Sequence, residues 1–451
     1  MRVSLKEKLS LDFATTAKAL ALAVLVVVGW MGSAPVQAQL RIEIVDGIEG
    51  ATPVAVVPFV WAASEDEPAT GVADLVAANL ARTGLFEAIP RSQMIERPTE
   101  PQDVGFGAWR LVGVDYLVMG RVVDAIDGPG VDIEYHLVDI NAETIVLSQA
   151  LPVQPGGLRF GAHRVSDAIY EALMGVPGAF ATRIAYVVVK NIGTDDEVFE
   201  LIIADADGFN PQAVVRNSEP IMSPAWSPDG RQIAYVSFAT GRSNIIIQDL
   251  YTGQNRVVSS SRGINGAPAF SPDGRFLAVA LSRGGSPDIW LIDLETNERR
   301  QLTRHWSINT EPVWSKDGEV VYFTSDRAGR PQIYAIQRDG EGLQRLTFEG
   351  VYNSRASVGL DDRFLALVHS PGNNDFRIGI FDRENERLRV LSDGRMDESP
   401  SFAPNGSMIL YARRDNGRGV LAAVSADGRV RQRLVNSEGD VREPAWSPLL
   451  R

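Results

Sequence analysis

Pro224-Ala-Trp-Ser-Pro-Asp-Gly230 returns as Pro268-Ala-Phe-Ser-Pro-Asp-Gly274 and as Pro312-Val-Trp-Ser-Lys-Asp-Gly318. Looser copies stand at Ala356-Ser-Val-Gly-Leu-Asp-Asp362, Pro400-Ser-Phe-Ala-Pro-Asn-Gly406 and Pro444-Ala-Trp-Ser-Pro-Leu-Leu450. The marker residues Asp229, Asp273, Asp317, Asp361, Asn405 and Leu449 are 44 residues apart at every step, without insertion or deletion. A fixed period of this length signals a propeller, a solenoid or an array. The contents of each unit choose among these. The Asp-Gly turn is followed by an apolar run (Ile233-Ala-Tyr-Val236, Phe276-Leu-Ala-Val279, Val320-Val-Tyr-Phe323), a Gly/Arg turn and a second apolar run such as Ile289-Trp-Leu-Ile292. A polar turn and a short fourth run complete the unit. Four short strands rich in β-branched and aromatic residues make a propeller blade. Proline presets φ for the turn and glycine takes the left-handed position after it, so the phrase is a hairpin with a physical cause.

Counting copies predicts how the ring closes. Arg183-Ile-Ala-Tyr-Val187, Phe199 to Asp205 and Gln212-Ala-Val-Val215 read as outer strands with no Pro-x-aromatic strand ahead of them. Pro444-Ala-Trp446 is an inner strand with nothing behind it. Joined, they complete a sixth blade, and closure removes the open sheet edges that invite aggregation.

The 451 residues are too many for one core, and 45% hydrophobic with 22% charged residues is a globular composition. No cysteine is present, so disulfides, thiol catalysis, cysteine-ligated metals and a lipidated N-terminal cysteine are excluded. Arg2, Lys6, Lys8 and Lys18 flank Ala19-Leu-Ala-Leu-Ala-Val-Leu-Val-Val-Val28, and Val36-Gln-Ala38 offers small residues for cleavage. These are the three parts of a secretory signal peptide, and the apolar stretch is short for a membrane span. Cleavage is expected between Ala38 and Gln39. It would remove a net +2, taking the chain from −13 to −15. An exported, acidic protein of this kind is a poor nucleic-acid binder, and no membrane insertion is expected after cleavage.

Residues 39–176 lack the period and read as a small α/β layer domain, ahead of a six-bladed β-propeller over 177–451. Strands are expected at Val54-Ala-Val-Val-Pro-Phe59 and Val114-Asp-Tyr-Leu-Val-Met119, and as a hairpin at Ile133–Val138 and Thr144–Leu147. Helices are expected from Gly71 to Phe86, in a short stretch before Val114, and from Leu158 to Met174. Arg41-Ile-Glu-Ile-Val45 alternates like a strand. It reads either as the first strand of this domain or as a loose terminal strand suited to a partner's sheet edge.

Catalytic signatures are missing. His136, His163, His305 and His369 form no paired motif, and there is no G-x-S-x-G elbow or P-loop. The repeated Asp at 229, 273, 317 and 361 is explained by its turn, so no metal and no cofactor is expected. Six loops lead into the inner strands: Ile221-Met-Ser223, Ile264-Asn-Gly-Ala267, Ile308-Asn-Thr-Glu311, Tyr352-Asn-Ser-Arg355, Met396-Asp-Glu-Ser399 and Asp440-Val-Arg-Glu443. In a closed ring they converge on one channel mouth, a concave face for a protein or peptide. Two rivals remain: an enzyme built on Glu311, Glu398 and Glu443, or a small-molecule or metal sensor using the channel.

The combination of leader, small α/β domain and six Ser-Pro-Asp-Gly units resembles the TolB family. Its strongest phrases here are Met222-Ser-Pro-Ala-Trp-Ser-Pro-Asp-Gly230, Asn265-Gly-Ala-Pro-Ala-Phe-Ser-Pro-Asp-Gly274, Asn309-Thr-Glu-Pro312, Ala328-Gly-Arg-Pro-Gln332 and Pro444-Ala-Trp-Ser-Pro448. The resemblance implies a non-enzymatic periplasmic protein of the Tol–Pal system, acting in outer-membrane integrity and constriction at cell division. It implies binding of the lipoprotein Pal over the channel mouth, and of TolA through the mature N-terminus, with other outer-membrane proteins as further partners. Carried over by position, the Pal contacts are Ile264, Asn265, Ala267, Asn309, Thr310, Glu311 and Arg355. Ile264 stands where family members often carry histidine, which makes that contact apolar here. The TolA segment is Gln39, Leu40, Arg41, Ile42, Glu43, Ile44 and Val45, running on to about Ile48.

Overall fold

The computed structural model describes residues 41–46, 50–64, 66–126, 128–283, 285–435 and 439–450. The leader over 1–38, its cleavage point at Ala38 and Gln39, and Leu40 lie outside the described residues, as does the end of the TolA segment at 47–48.

Five four-stranded antiparallel sheets and one of five strands make a ring of six blades after an α/β region. Blade 2, the first to use a complete repeat, runs Ile221–Trp226, Gln232–Ser237, Asn244–Asp249 and Asn255–Ser259 from the channel outward. Blades 3, 4, 5 and 6 repeat the pattern from inner strands Asn265–Phe270, Asn309–Trp314, Tyr352–Val358 and Asp397–Phe402. Blade 1 takes Arg183–Lys190, Val198–Asp205 and Gln212–Asn217 from one part of the chain, and its inner strand, Asp440–Trp446, from the end. The seam is antiparallel, with Val441 opposite Val188 and Trp446 opposite Ile184. The ring therefore closes as the copies predict.

The turn phrase works as its chemistry requires. Gly230, Gly274, Gly318 and Gly406 have φ near +70°. Asp229 Oδ1 accepts from Ser227 Oγ at 2.6 Å and from Arg231 N–H at 3.0 Å, and Asp273 and Asp317 bind the same partners in their blades. At the weak copy the glycine position is Asp362, which still adopts φ +59°. Blades are joined by the aromatic that follows Pro-x. Trp226 Nε1 donates to Ala445 O and Trp314 Nε1 to Ala269 O, each at 3.1 Å.

In the α/β region the sheet order is Phe86–Ala88, Thr52–Val56, Tyr116–Asp124, Val131–Asp139, Thr144–Val153. The first three strands are parallel and the last three antiparallel. Helices α1 (Val72–Arg82) and α3 (Leu158–Met174) share one core with the sheet, and α2 (Phe106–Val112) closes a second core around Trp109. Val72, Val76 and Leu80 sit on one face of α1 and are buried. The first helix is shorter than its apolar spacing suggests, because Gly84 turns left-handed and Phe86–Ala88 becomes a strand. Helix α3 ends at Gly175, also left-handed. No described helix is long and apolar enough to cross a membrane.

One alternative for the N-terminal strand is corrected. Arg41–Asp46 is not the first strand of the α/β sheet. It pairs antiparallel with Arg431–Val435, the outermost strand of blade 6, as a fifth strand on that blade. Alternation specifies which side chains share a face, whereas the sheet edge is chosen by backbone groups, which carry no sequence signal.

Candidate functional site: the channel mouth

Six residues at 44-residue spacing interrupt the inner strands. Ser223, Ala267, Glu311, Arg355, Ser399 and Glu443 all have φ between +48° and +55°, and each lies in a register shift between the first two strands. Left-handed backbone costs a non-glycine residue about 1–2 kcal/mol, so this ring holds strain around the channel. Together with the residues that follow them they enclose about 150 Å³ at the throat.

The throat is an ion network. Arg355 Nε donates to Glu311 Oε1 at 2.9 Å, its Nη2 lies 3.4 Å from Glu443 Oε2, and its Nη1 donates to Ser399 Oγ. Glu311 Oε2 also accepts from Thr324 Oγ1 at 2.8 Å and from Arg355 N–H at 3.0 Å. Glu443 accepts from Ser223 N–H at 2.5 Å. Burial opposes the charge on the guanidinium, but the two carboxylates raise its pKa further, so it stays charged. Four blades are tied together across the axis by one cation.

Above the throat the rim is apolar. Ile264 is 50% exposed, Ile308 and Met396 are similar, and Met222 is exposed beside them. Trp306, the most open of the group at 78%, stands just outside Ile308. A side cavity of about 270 Å³ opens between blades 5, 6 and 1, lined by Tyr352, Phe376, Met396, Arg414 and Arg442 among others.

Of the residues singled out from sequence, Ile264 is on the rim, Thr310 just inside it, and Ala267, Glu311 and Arg355 are in the throat. Asn265 and Asn309 are buried beneath the rim and hydrogen-bonded. Asn265 Nδ2 donates to Ser261 O at 2.8 Å, and Asn309 Nδ2 to Asp288 Oδ1 at 2.9 Å. Their amides hold the mouth loops and present no surface. Met222 and Tyr352 lie in the mouth loops read from sequence, whereas Trp306 lies outside them. Stepping Ile264 forward by 44 residues reaches Ile308, Tyr352 and Met396, so the repeat contained that signal, whereas Trp306 falls where other units carry Arg262 and Gly350. Arg41 to Val45 run along blade 6 as described, and Gln39 and Leu40 lie outside the described residues.

Among the described residues, metal-type donors gather within 4.8 Å only at His163, Asp205 and Asp207, away from the mouth where α3 meets blade 1. Arg159 already bridges to Asp207 and lies 3.7 Å from Asp205. A guanidinium thus occupies the place a metal cation would need.

Comparison with known proteins follows the same division. Residues 170–450 match the family described as TolB beta propeller domain, and residues 40–146 match the TolB amino-terminal domain. The chain is 56% identical over 414 residues to the Tol-Pal system protein TolB of Xanthomonas oryzae pv. oryzae (strain PXO99A), covering 91% of this chain and 94% of that protein. The same figures hold for the Xanthomonas campestris pv. campestris (strain B100) protein of that name. The crystal structure of TolB from Acinetobacter baumannii superposes with a TM-score of 0.83 at 39% identity, over 91% of this chain and all of that one.

Proposed function

The chain belongs to the TolB family of Tol-Pal system proteins, and from that premise we propose that it is a non-catalytic periplasmic scaffold. In this reading the channel mouth grips the peptidoglycan-associated lipoprotein Pal, and the mature N-terminal segment is offered to TolA, linking two membranes for outer-membrane integrity and constriction at division. The observation that carries it is the mouth itself. An exposed apolar rim surrounds a throat sealed by Arg355, so apolar side chains stand open to a partner around a rigid centre. The throat carboxylates Glu311 and Glu443 are engaged with Arg355, an arrangement that suits rigidity better than acid–base work.

The N-terminal strand supports the second half of the reading. Arg41–Asp46 is the edge strand of its sheet, held by backbone pairing on one side. Adding a strand to a partner's sheet uses the same backbone groups, so docking on blade 6 and capture by TolA compete or combine. If occupancy of the mouth shifts that docking, the two sites are linked, typically by about 1–3 kcal/mol, and reciprocally.

The test is a pull-down from periplasm and solubilised membrane with the mature chain, alongside Thr310→Arg and a chain lacking residues 39–45. Wild type should recover Pal and TolA, Thr310→Arg should lose Pal, and the truncation should lose TolA alone. Equal recovery of Pal by wild type and Thr310→Arg would remove the mouth from the reading.

A further inference from the structure

The mouth carries a charge that the whole chain does not. The sequence totals −13, yet the mouth-side turns of three consecutive blades each present arginine. Arg242 lies in the turn between the second and third strands of blade 2, Arg283 in that of blade 3 and Arg330 in that of blade 4. Arg262 and Arg304 lie in the loops that lead into the inner strands of blades 3 and 4. All five are exposed, and none makes an ion pair among the described residues. Arg283 rests over the Trp290 ring at 5.2 Å, and Arg304 reaches only Gln301 Oε1 at 3.5 Å. The acids nearby do not cancel them. Asp326 accepts from Ile308 N–H at 2.8 Å, Asp288 near Arg283 is buried and accepts from Asn309 Nδ2 at 2.9 Å, and Glu219 and Glu349 stand at the two ends of the arc.

The opposite side of the ring is different. Its turns carry Asp229, Asp249, Asp273, Asp293 and Asp317, and Arg275 there pairs with Asp293 at 3.0 Å. Blades 5 and 6 pair Arg377 with Asp375 and Arg413 with Asp393, each at 2.7 Å, while Arg395 and Arg414 of blade 6 stay exposed. The exposed unpaired cations are therefore densest over blades 2 to 4, the half of the face that also holds Ile264, Trp306 and Ile308.

We propose that the mouth recognises an acidic protein surface. An apolar knob enters the rim near Ile264 and Ile308, and carboxylates beside it meet the arginine arc over blades 2 to 4. This rests on the mouth being the docking face and adds the partner's chemistry and its orientation. Arginine at an apolar rim is the residue enriched in binding hot spots, because it pairs carboxylates bidentately and stacks on aromatics. An arc weighted to blades 2 to 4 favours one rotation about the channel axis, which the near-sixfold rim alone would leave free. A membrane surface fits less well. The rim is concave, and Glu311, Glu398 and Glu443 at its centre repel phosphate.

The experiment is stopped-flow association of the mature chain with the soluble domain of its Pal across a salt series. Wild-type association should slow steeply with salt. The double reversal Arg283→Glu with Arg304→Glu should lower the low-salt on-rate by ~10-fold or more and flatten the salt dependence, with a smaller change in off-rate. Arg256→Glu, in the outer strand of blade 2, should do neither, and unchanged melting of the double variant shows that its fold is intact. Unchanged on-rate and salt slope in the double variant, with binding lost in Ile308→Asp, would overturn the acidic-partner inference and leave the docking face standing. Binding retained in Ile308→Asp as well would overturn both. Arginine-dependent binding to phosphatidylglycerol vesicles, with Pal association unaffected, would also overturn it.

Discussion

Position 397 shows how one atom distinguishes the blades. Asn265, Asn309, Asn353 and Asp397 occupy equivalent buried sites under the mouth, 44 residues apart. Each asparagine donates its amide, as Asn353 Nδ2 does to Gln332 Oε1 at 2.9 Å and to Glu349 O at 2.8 Å. Asp397 has no exposed surface; its Oδ2 accepts from Gly394 N–H at 3.1 Å, and the Ser392 hydroxyl is its other hydrogen-bonding neighbour. Burial pushes this carboxyl above its usual range, against the pull of the Ser392 hydroxyl and of Arg413. The folded state therefore holds the proton to higher pH than the unfolded chain, and this group costs stability as pH rises above the unfolded value of about 4. Asp397→Asn restores the amide donor and removes that cost. Its denaturation free energy should exceed wild type by about 1 kcal/mol at pH 8, with the gain shrinking towards pH 4. A variant less stable than wild type at pH 8 would show that Asp397 is ionised and paired. The aspartate was visible in the repeat alignment, whereas the six left-handed residues of the throat were not. Nothing in Ser, Ala, Glu or Arg announces positive φ, and only closure of the ring imposes it.

At the scale of elements, the seam of blade 1 bears the closure. The terminal strand packs Val441 and Trp446 onto Ile184, Tyr186 and Leu410 of two different blades. Trp446 Nε1 donates to Thr182 Oγ1 at 2.8 Å, and its N–H to Ser401 Oγ at 2.9 Å, so one residue joins blade 1 to blade 6. Trp446→Ala should lower the unfolding free energy by about 3 kcal/mol, the low end for losing a large aromatic because the ring is part-buried. A denaturation midpoint unmoved from wild type would mean the ring is held shut elsewhere. The strand itself was legible because its Pro-x-Trp phrase matched the inner strands and lacked outer ones. The partner of Arg41–Asp46 was not, since a short alternating strand fits any exposed edge and blade 6 offers one only after the ring has formed.

At the scale of the whole molecule, the two regions meet through groups that sequence could not join. His163 on α3 read as an isolated histidine, and Asp205 as the end of an outer strand. In the fold they share a buried joint with Arg82 and Arg159. His163 is 2% exposed; its Nδ1 accepts from Asn79 Nδ2 at 2.9 Å, and its Nε2 stands 3.7 Å from Asp207 Oδ2. Burial, with Arg82 and Arg159 adding to it against the pull of Asp207, lowers the imidazole to about 4. The folded joint thus holds neutral histidine where the unfolded chain would charge it below about 6.5, so stability from this group is present above that pH and lost as pH falls towards 4. Asp205 has the opposite sign. Burial raises it to about 6, so its share of stability grows as pH falls through the same window. Wild type sums two opposing slopes, and His163→Gln removes one of them. The variant's melting temperature should therefore lose less than wild type's between pH 7 and pH 4.5, or should rise, while Asp205→Asn should steepen the loss. A constant offset between His163→Gln and wild type at every pH would mean that the histidine acts by packing alone, leaving the acid sensitivity of the joint to its carboxylates.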